Sequence, residues 1–473
     1  MAATMQAILT AQRSVFMGEL PVPMAVRKDR LRRAAAMIAD NAERFCEALS
    51  DDFGHRSREQ SMMTDIGGSI APIKHAIARL ERWARPERRG VQFPLGLLGA
   101  RAWVEYQPKG VVGVIAPWNF PVQLIMGPLA GIFAAGNRAM VKTSEFTPAT
   151  AALFEELCPE FFATDELHFV SGGPDIGKAF AQLSFDHLLF TGATGIGRHI
   201  LHAAADNLTP VTLELGGKSP VIVGKSANMA QMAERVALGK MLNAGQICLA
   251  PDYMLVPEGL QGDVVAGLKK AVGDMYPTML SNPDYTSIIN DRHFRRLNDW
   301  LDDARAKGAT VETVNPASEP FAATNTRKMP LHIVTGVTDD MTIMREEIFG
   351  PILPIRGHDG IDDAIAQVNA KGRPLGLYYF GHDQAERRLV LDRTISGGVT
   401  VNDVVFHVSM EDLPFGGVGP SGMGAYHGID GFKTFSHAKA VFRQSRINVA
   451  KLGGFKPPYD KTTMATVKRQ MKV

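Results

Sequence analysis

One cysteine stands where a reactive group would be placed. In NAGQICLAP, residues 243–251, Cys248 follows small and polar residues that let the backbone approach another molecule closely. Such a setting suits a nucleophile on a loop, reachable by substrate and surrounded by donors that stabilise a thiolate. A second group lies in VTLELGGKSP (211–220), where Glu214 closes an apolar run and Gly-Gly follows. A carboxylate there is costly unless it is solvated or used, and partial burial raises its pKa toward that of a general base. The two are 34 residues apart (248 − 214), so only the fold can bring them together. A third group is Asn119 in VIAPWNFPV, on a turn between Pro117 and Pro121. Its amide, with the backbone N–H of Cys248, would donate to a developing oxyanion. Taken singly, each has a plainer reading: a strand-end glutamate as structure, an asparagine as an Asx-turn residue.

A phosphate-binding turn is the next expectation. TGATGIGRHI (191–200) places Gly192, Thr194, Gly195 and Gly197 before an apparent helix, whose free N–H groups and dipole favour anions. The spacing is GxxGxG, so a tight turn without a ligand serves equally well. MVKTSEF (140–146) sets Lys142 and Glu145 just past a strand, either for ribose hydroxyls or as an ion pair. In EEIFGPILPI (346–355), Glu347 would hold a second ribose and Phe349 would lie against a nicotinamide ring.

These groups need a scaffold that delivers them to one place. Leu31, Ala35, Ile38, Ala42, Phe45 and Leu49 recur at helical steps and stop at Gly54. Ile66, Ile70, Ile73, Ile77 and Leu80 repeat the pattern. From residue 111 short apolar runs (111–115, 139–142, 167–170, 187–190, 211–215) alternate with windows of helical length. That alternation predicts an α/β fold with a parallel sheet covered by helices, its ligands outside the carboxyl ends of the strands. A second α/β unit follows residue 215. The stretch around AWVEYQ (102–107) reads as extended, and 440–473 as an irregular tail.

Bulk properties narrow the function further. With 51 basic and 49 acidic residues the net charge is +2, which leaves no electrostatic footprint for nucleic acid or an anionic membrane. The three cysteines, Cys46, Cys158 and Cys248, are far apart. No metal site is expected from them, nor a disulfide framework, and a reducing compartment fits. The N-terminus has no signal-peptide pattern and no stretch reaches the ~18 apolar residues of a membrane span. The expectation is a cytoplasmic protein without a membrane anchor.

Asn119 in PWNFP, Lys142 in VKTSE, GATGIG, Glu214 in LELGGKSP, Cys248 in NAGQICLAP, Glu347 in EEIFGP and LPFGGVGPSGMGAYHG together resemble the aldehyde dehydrogenase superfamily. They run in the family's order from residue 106 to 437 and look like its class-three-like branch. Within that branch FPLGLLGARAWVEYQPKGVVGVIAPWNFPV is similar to the coniferyl aldehyde dehydrogenases. The resemblance implies a Rossmann-type cofactor domain (1–92 with 113–214), an α/β catalytic domain (215–418), bridging β segments used for oligomerisation (93–112 and 419–445) and a tail (446–473). It implies Cys248 as nucleophile, Glu214 as base and Asn119 as oxyanion donor. Lys142 and Glu145 would hold the adenosine ribose, Gly192, Thr194 and Gly197 the pyrophosphate, and Glu347 with Phe349 the nicotinamide half. The implied cofactor is NAD, because Glu145 would repel a 2′-phosphate, with NADP as the alternative. Implied substrates are aromatic or medium-chain aldehydes, with Phe120, Ile247, Phe406 and Phe415 as candidate pocket residues, and the implied assembly is a homodimer. Two positions depart from the pattern: Thr143 stands where the family often has proline, and Ile247 where many relatives carry Thr or Arg. Transfer to coenzyme A is a competing reading that Glu214 opposes. A catalytically idle homologue is another, opposed by the intact trio.

Overall fold

The computed structural model describes residues 2–93 and 95–471. In chain order, strands β1 (Glu87–Arg89) and β2 (Arg101–Pro108) precede β3 (Val111–Ile115), β4 (Arg138–Lys142), β5 (Leu167–Val170), β6 (His187–Gly192) and β7 (Val211–Leu215). Then follow β8 (Pro220–Val223), β9 (Tyr253–Pro257), β10 (Thr310–Val314), β11 (Leu331–Thr335), β12 (Ile352–His358), β13 (Gly376–Phe380) and β14 (Gly398–Val401). The last two are β15 (Gly422–Met423) and β16 (Ser436–Arg443).

Three sheets result. The first has the order β15-β7-β6-β3-β4-β5, parallel except for β15. The chain leaves β3 toward β4 and β5, then returns past it to β6 and β7, so strand order reverses between β3 and β6. That switch point opens a crevice at the carboxyl ends of the strands. Side chains alternate across this sheet as the pleat demands. Val112, Val114, Ala139, Val141 and Leu189 join a core with the N-terminal helices and the helix Gln123–Ala135. Val111, Met140, Leu188 and Phe190 join a smaller core on the other face with Met5, Leu9 and Phe180. Burial on both faces explains why these strands read as continuous apolar runs.

The second sheet, β10-β11-β12-β9-β8-β13-β14, is parallel except where β10 meets β11, and it has its own core. The third is the antiparallel trio β1-β2-β16, with β2 and β16 paired over their full eight-residue lengths.

The N-terminal apolar pattern is split between two helices, Met24–Ala39 and Ala42–Phe53, with Leu31, Ile38, Phe45 and Leu49 all fully buried. The second ends at Gly54, whose φ of +73° is the left-handed cap a glycine adopts without steric cost. The expectation of an irregular tail is overturned at both ends. Strand β16 extends to Arg443, and a helix spans Lys461–Gln470, started by a capping box between Asp460 and Thr463. Among the described residues no helix is long and apolar enough to cross a membrane.

Candidate active site

Loops of the first two sheets open onto one cavity of about 1480 Å³. From the first sheet come carboxyl-terminal ends: Asn119 after β3, Lys142 and Glu145 at β4, Gly192 at β6 and Glu214 at β7. Their alignment is set by register, which pairs Ile115 with Lys142 and with Phe190, and Thr191 with Glu214. The second sheet faces the same cavity with its amino-terminal ends. Cys248 lies before β9, Glu347 and Phe349 before β12, and Lys371 to Leu375 before β13. The volume exceeds the ~300–1,000 Å³ of an ordinary small-molecule pocket, so a cofactor and a substrate can share it.

Cys248, Glu214 and Asn119 line this cavity together. The sequence expectation of a thiolate wrapped in donors is corrected here. Burial, then the Glu347 and Glu214 carboxyls, push the Cys248 thiol up to about 12, against only partial help from the backbone N–H groups of Cys248 and Leu249. Glu214 is itself raised well above the usual carboxylate range by burial, and neither of its oxygens has a hydrogen-bond partner. Glu347 is raised to about 8 by burial and by Asp252. The site is therefore a cluster of three acidic groups, each raised by burial and so each a stronger base than usual once ionised. The Asn119 amide donates to the Gln246 carbonyl at 3.2 Å, which ties the β3 loop to the cysteine loop. That loop is tightly wound: Asn243, Ala244 and Gly245 all have positive φ, +51°, +51° and +74°.

The cofactor candidates divide by position. Lys142 is buried, donates to the Thr143 carbonyl at 2.7 Å and lies 3.7 Å from the half-exposed Glu145 carboxylate. Gly192, Thr194 and Gly195 line the cavity where the helix Thr194–Ala205 begins. Ala193, before that helix, supplies no side-chain cap, and its carbonyl accepts from the Ile196 and Gly197 N–H groups at 3.0 Å, which leaves those of Thr194 and Gly195 as the free ones. Gly197 does not line it. A Cβ there would come within 2.7 Å of Leu215, so its task is close packing of this helix on β7, a correction to its assignment as a ligand contact. Glu347 also lines the cavity, pressed against Gly216, where a Cβ would meet its carboxylate at 2.1 Å. Its Oε1 has no partner. Phe349 stands beside it, edge-on to Trp118 at 5.3 Å between ring centroids. Free helical N–H groups, a lysine–glutamate pair and an orphaned carboxyl on one cavity offer both donors for phosphate and acceptors for ribose hydroxyls, the set a dinucleotide requires.

The aromatic expectations are corrected. Of the four candidates, Phe415 alone lines the cavity; it stacks on His427 with centroids 5.1 Å apart. Phe120 is buried beneath the Arg56 guanidinium, and Ile247 is packed in the core of the first sheet, since β-branched bulk beside the cysteine turns inward there. Phe406 is 51% exposed, on a short 3-10 turn, and is not among the residues lining the cavity. Sequence reading also passed over residues that tie together the loops at the amino-terminal edge of the second sheet. Lys218 is paired with Asp252 and donates to the Ile343 and Glu346 carbonyls, at 2.7 and 2.9 Å. Asp252 accepts from the Ile348 N–H at 2.9 Å, and Arg296 donates to the Ile348 carbonyl at 2.8 Å. The signal was present: Lys218 and Asp252 each lie four residues after Glu214 and Cys248.

The profile of the Aldehyde dehydrogenase family matches residues 2–441 of this chain. A coniferyl aldehyde dehydrogenase from a Pseudomonas species is 54% identical over 439 residues, covering 93% of this chain and 90% of its own. A substrate-bound structure of Staphylococcus aureus AldH superposes with a TM-score of 0.91 at 35% identity, covering 99% of both chains. An indole-3-acetaldehyde dehydrogenase in complex with NAD+ gives a TM-score of 0.83 at 25% identity, covering 94% of this chain and 89% of that one.

Proposed function

The chain belongs to the aldehyde dehydrogenase family, and from that premise we propose that it oxidises aromatic, coniferyl-type aldehydes to their carboxylic acids with NAD. The observation that carries the reading is the meeting of Cys248, Glu214 and Asn119 in the lining of one cavity, large enough for two ligands. The 54% identity to a coniferyl aldehyde dehydrogenase supports the substrate class.

Cys248 loses its proton to solvent, and its sulfur bonds to the aldehyde carbon. The oxygen of that thiohemiacetal takes up negative charge, and the Asn119 amide, released from the Gln246 carbonyl, donates to it together with the Cys248 N–H. When bound, the nicotinamide supplies the acceptor for the hydride the carbon loses and a positive charge that favours the thiolate. A thioester on Cys248 is left. Glu214 removes a proton from water, which adds to the thioester carbon, and the C–S bond breaks to give acid and thiol. Sulfur suits both halves, as it attacks near neutral pH and leaves readily. Lys142, Glu145 and the helix start at Thr194 hold the adenosine half, and Glu347 with Phe349 the nicotinamide half. Glu145, as a carboxylate beside the ribose, disfavours NADP.

The test is a panel of cinnamyl-type, benzylic and straight-chain aldehydes with each nucleotide, followed by absorbance of the reduced nucleotide. Cinnamyl-type aldehydes with NAD should give the highest kcat/KM, and Cys248→Ser should abolish oxidation while nucleotide binding persists. Full turnover by that variant overturns the mechanism, and a preference for straight chains overturns the substrate class. A homodimer joined through the β2–β16 sheet completes the proposal, and sedimentation would report it.

A further inference from the structure

The loops that carry Asn119 and Cys248 do not hold each other unaided. Residues 56–65, from the N-terminal helices, reach both. Arg56 and Asp65 form an ion pair of 2.6 Å with both side chains at 0% exposure. The other arm of the Arg56 guanidinium donates to the Asn119 carbonyl at 2.9 Å. The other oxygen of Asp65 accepts from the N–H groups of Val122 and Gln123, at 3.1 and 3.3 Å. The pair thus grips the Asn119 turn at its apex and at its exit. Above and below the guanidinium lie the rings of Phe53 and Phe120, at 4.8 and 5.0 Å. Asp65 itself sits in a π-helical turn, Met62–Gly67, where the helix widens.

Gln60 makes the parallel contact to the other loop. Its Oε1 accepts from the Asn243 N–H at 2.9 Å and its Nε2 donates to the Asn243 Oδ1 at 3.4 Å. Asn243 opens the left-handed run before the cysteine, a conformation that persists only where surroundings impose it. Its own amide donates to the Asn119 carbonyl at 3.1 Å and to the Gln246 carbonyl at 3.2 Å. One carbonyl, that of Asn119, therefore receives both braces.

We propose that Arg56, Gln60 and Asp65 are positioning residues, which lock the Asn119 turn onto the Cys248 loop so that amide and sulfur address the same carbonyl carbon. None of the three lines the cavity, so they act through Asn119 and Asn243. Burying a charged pair is not needed for stability, because apolar residues of similar volume serve a core at least as well. A fixed fork holding a backbone carbonyl instead supplies orientation. The inference rests on the reading of Asn119 as oxyanion donor.

A double-mutant cycle tests it. Asp65→Asn keeps the shape and removes the charge that aims Arg56; Gln60→Leu removes only the neutral contacts to Asn243. Each is made alone and with Asn119→Ala, and kcat, KM, nucleotide affinity and melting temperature are measured. A misplacement of about 1 Å costs up to ~100-fold in rate, so either brace variant should lower kcat by roughly 10- to 100-fold. KM and nucleotide affinity should stay within about threefold. In the Asn119→Ala background the same substitutions should cost less than about threefold, because residues in one network are not additive. Equal losses in both backgrounds overturn the proposal, as does a loss confined to nucleotide affinity. Arg56→Lys keeps the charge but loses the fork, and it should resemble Asp65→Asn. If Asp65→Asn does not fold, Gln60→Leu and Arg56→Lys decide the matter. If Asn119→Ala alone leaves kcat intact, the oxyanion reading itself falls, an outcome distinct from a damaging Asn119→Ala with additive braces.

Discussion

A half-buried thiol near two carboxyls should react slowly until something changes its surroundings. Cys248 is pushed up to about 12, from an ordinary 9.0. At pH 7.5 a thiol at 9.0 is ~3% ionised and one at about 12 is ~0.003% ionised, a ~1,000-fold deficit. The more basic thiolate is the better nucleophile, with a Brønsted slope of ~0.4–0.5, which recovers ~15- to 30-fold. Alkylation of Cys248 by iodoacetamide should therefore run ~30- to 70-fold slower than that of N-acetylcysteine. Mass spectrometry of the Cys248 peptide reads it separately from the buried Cys46 and Cys158. Glu347, raised to about 8, adds a second signature. Below pH 8 it is neutral; above, its charge opposes the thiolate, so the log rate should climb by less than one per pH unit around pH 8. Glu347→Gln should restore unit slope and react faster than wild type above pH 8. A plateau beginning below pH 9, or a Glu347→Gln curve coincident with wild type, refutes the account of an acid cluster.

Two further outcomes follow from the same geometry. Glu214→Gln removes the base for water but leaves the sulfur, so a rapid single turnover should be followed by steady-state hydrolysis at least ~100-fold slower, visible as a burst of reduced nucleotide in stopped flow. Glu145→Ala removes the exposed carboxylate 3.7 Å from Lys142, and the ratio of kcat/KM for NADP over NAD should rise by roughly 10-fold or more.

Much of the scaffold was legible because its physics is local. Strands buried on both faces must be apolar throughout, so β3 to β7 stood out from the helical windows between them. A parallel sheet with a switch in strand order then fixes where ligands sit, which is why Asn119, Lys142, Gly192 and Glu214, all at carboxyl ends, could be named together. Gly54 announced a helix end for an equally local reason.

What tertiary structure alone decided is everything that depends on distance through space. The second sheet turns its amino-terminal strand ends to the cavity, so Cys248 and Glu347 arrive from the side that the strand-end rule does not cover. The two carboxyls beside the sulfur come from separate stretches of chain, and their effect on the thiol exists only after burial brings them close. Ring direction is likewise a packing outcome: Phe415 faces the cavity, Phe120 and Ile247 face the core, and Phe406 faces solvent, although all four are apolar residues near a motif. The Arg56–Asp65 pair, more than fifty residues before Asn119 in sequence (119 − 65 = 54), left no local mark at all. Periodicity and turn chemistry are written in neighbouring residues, whereas electrostatics and orientation in a site are sums over whatever the fold places within a few ångströms.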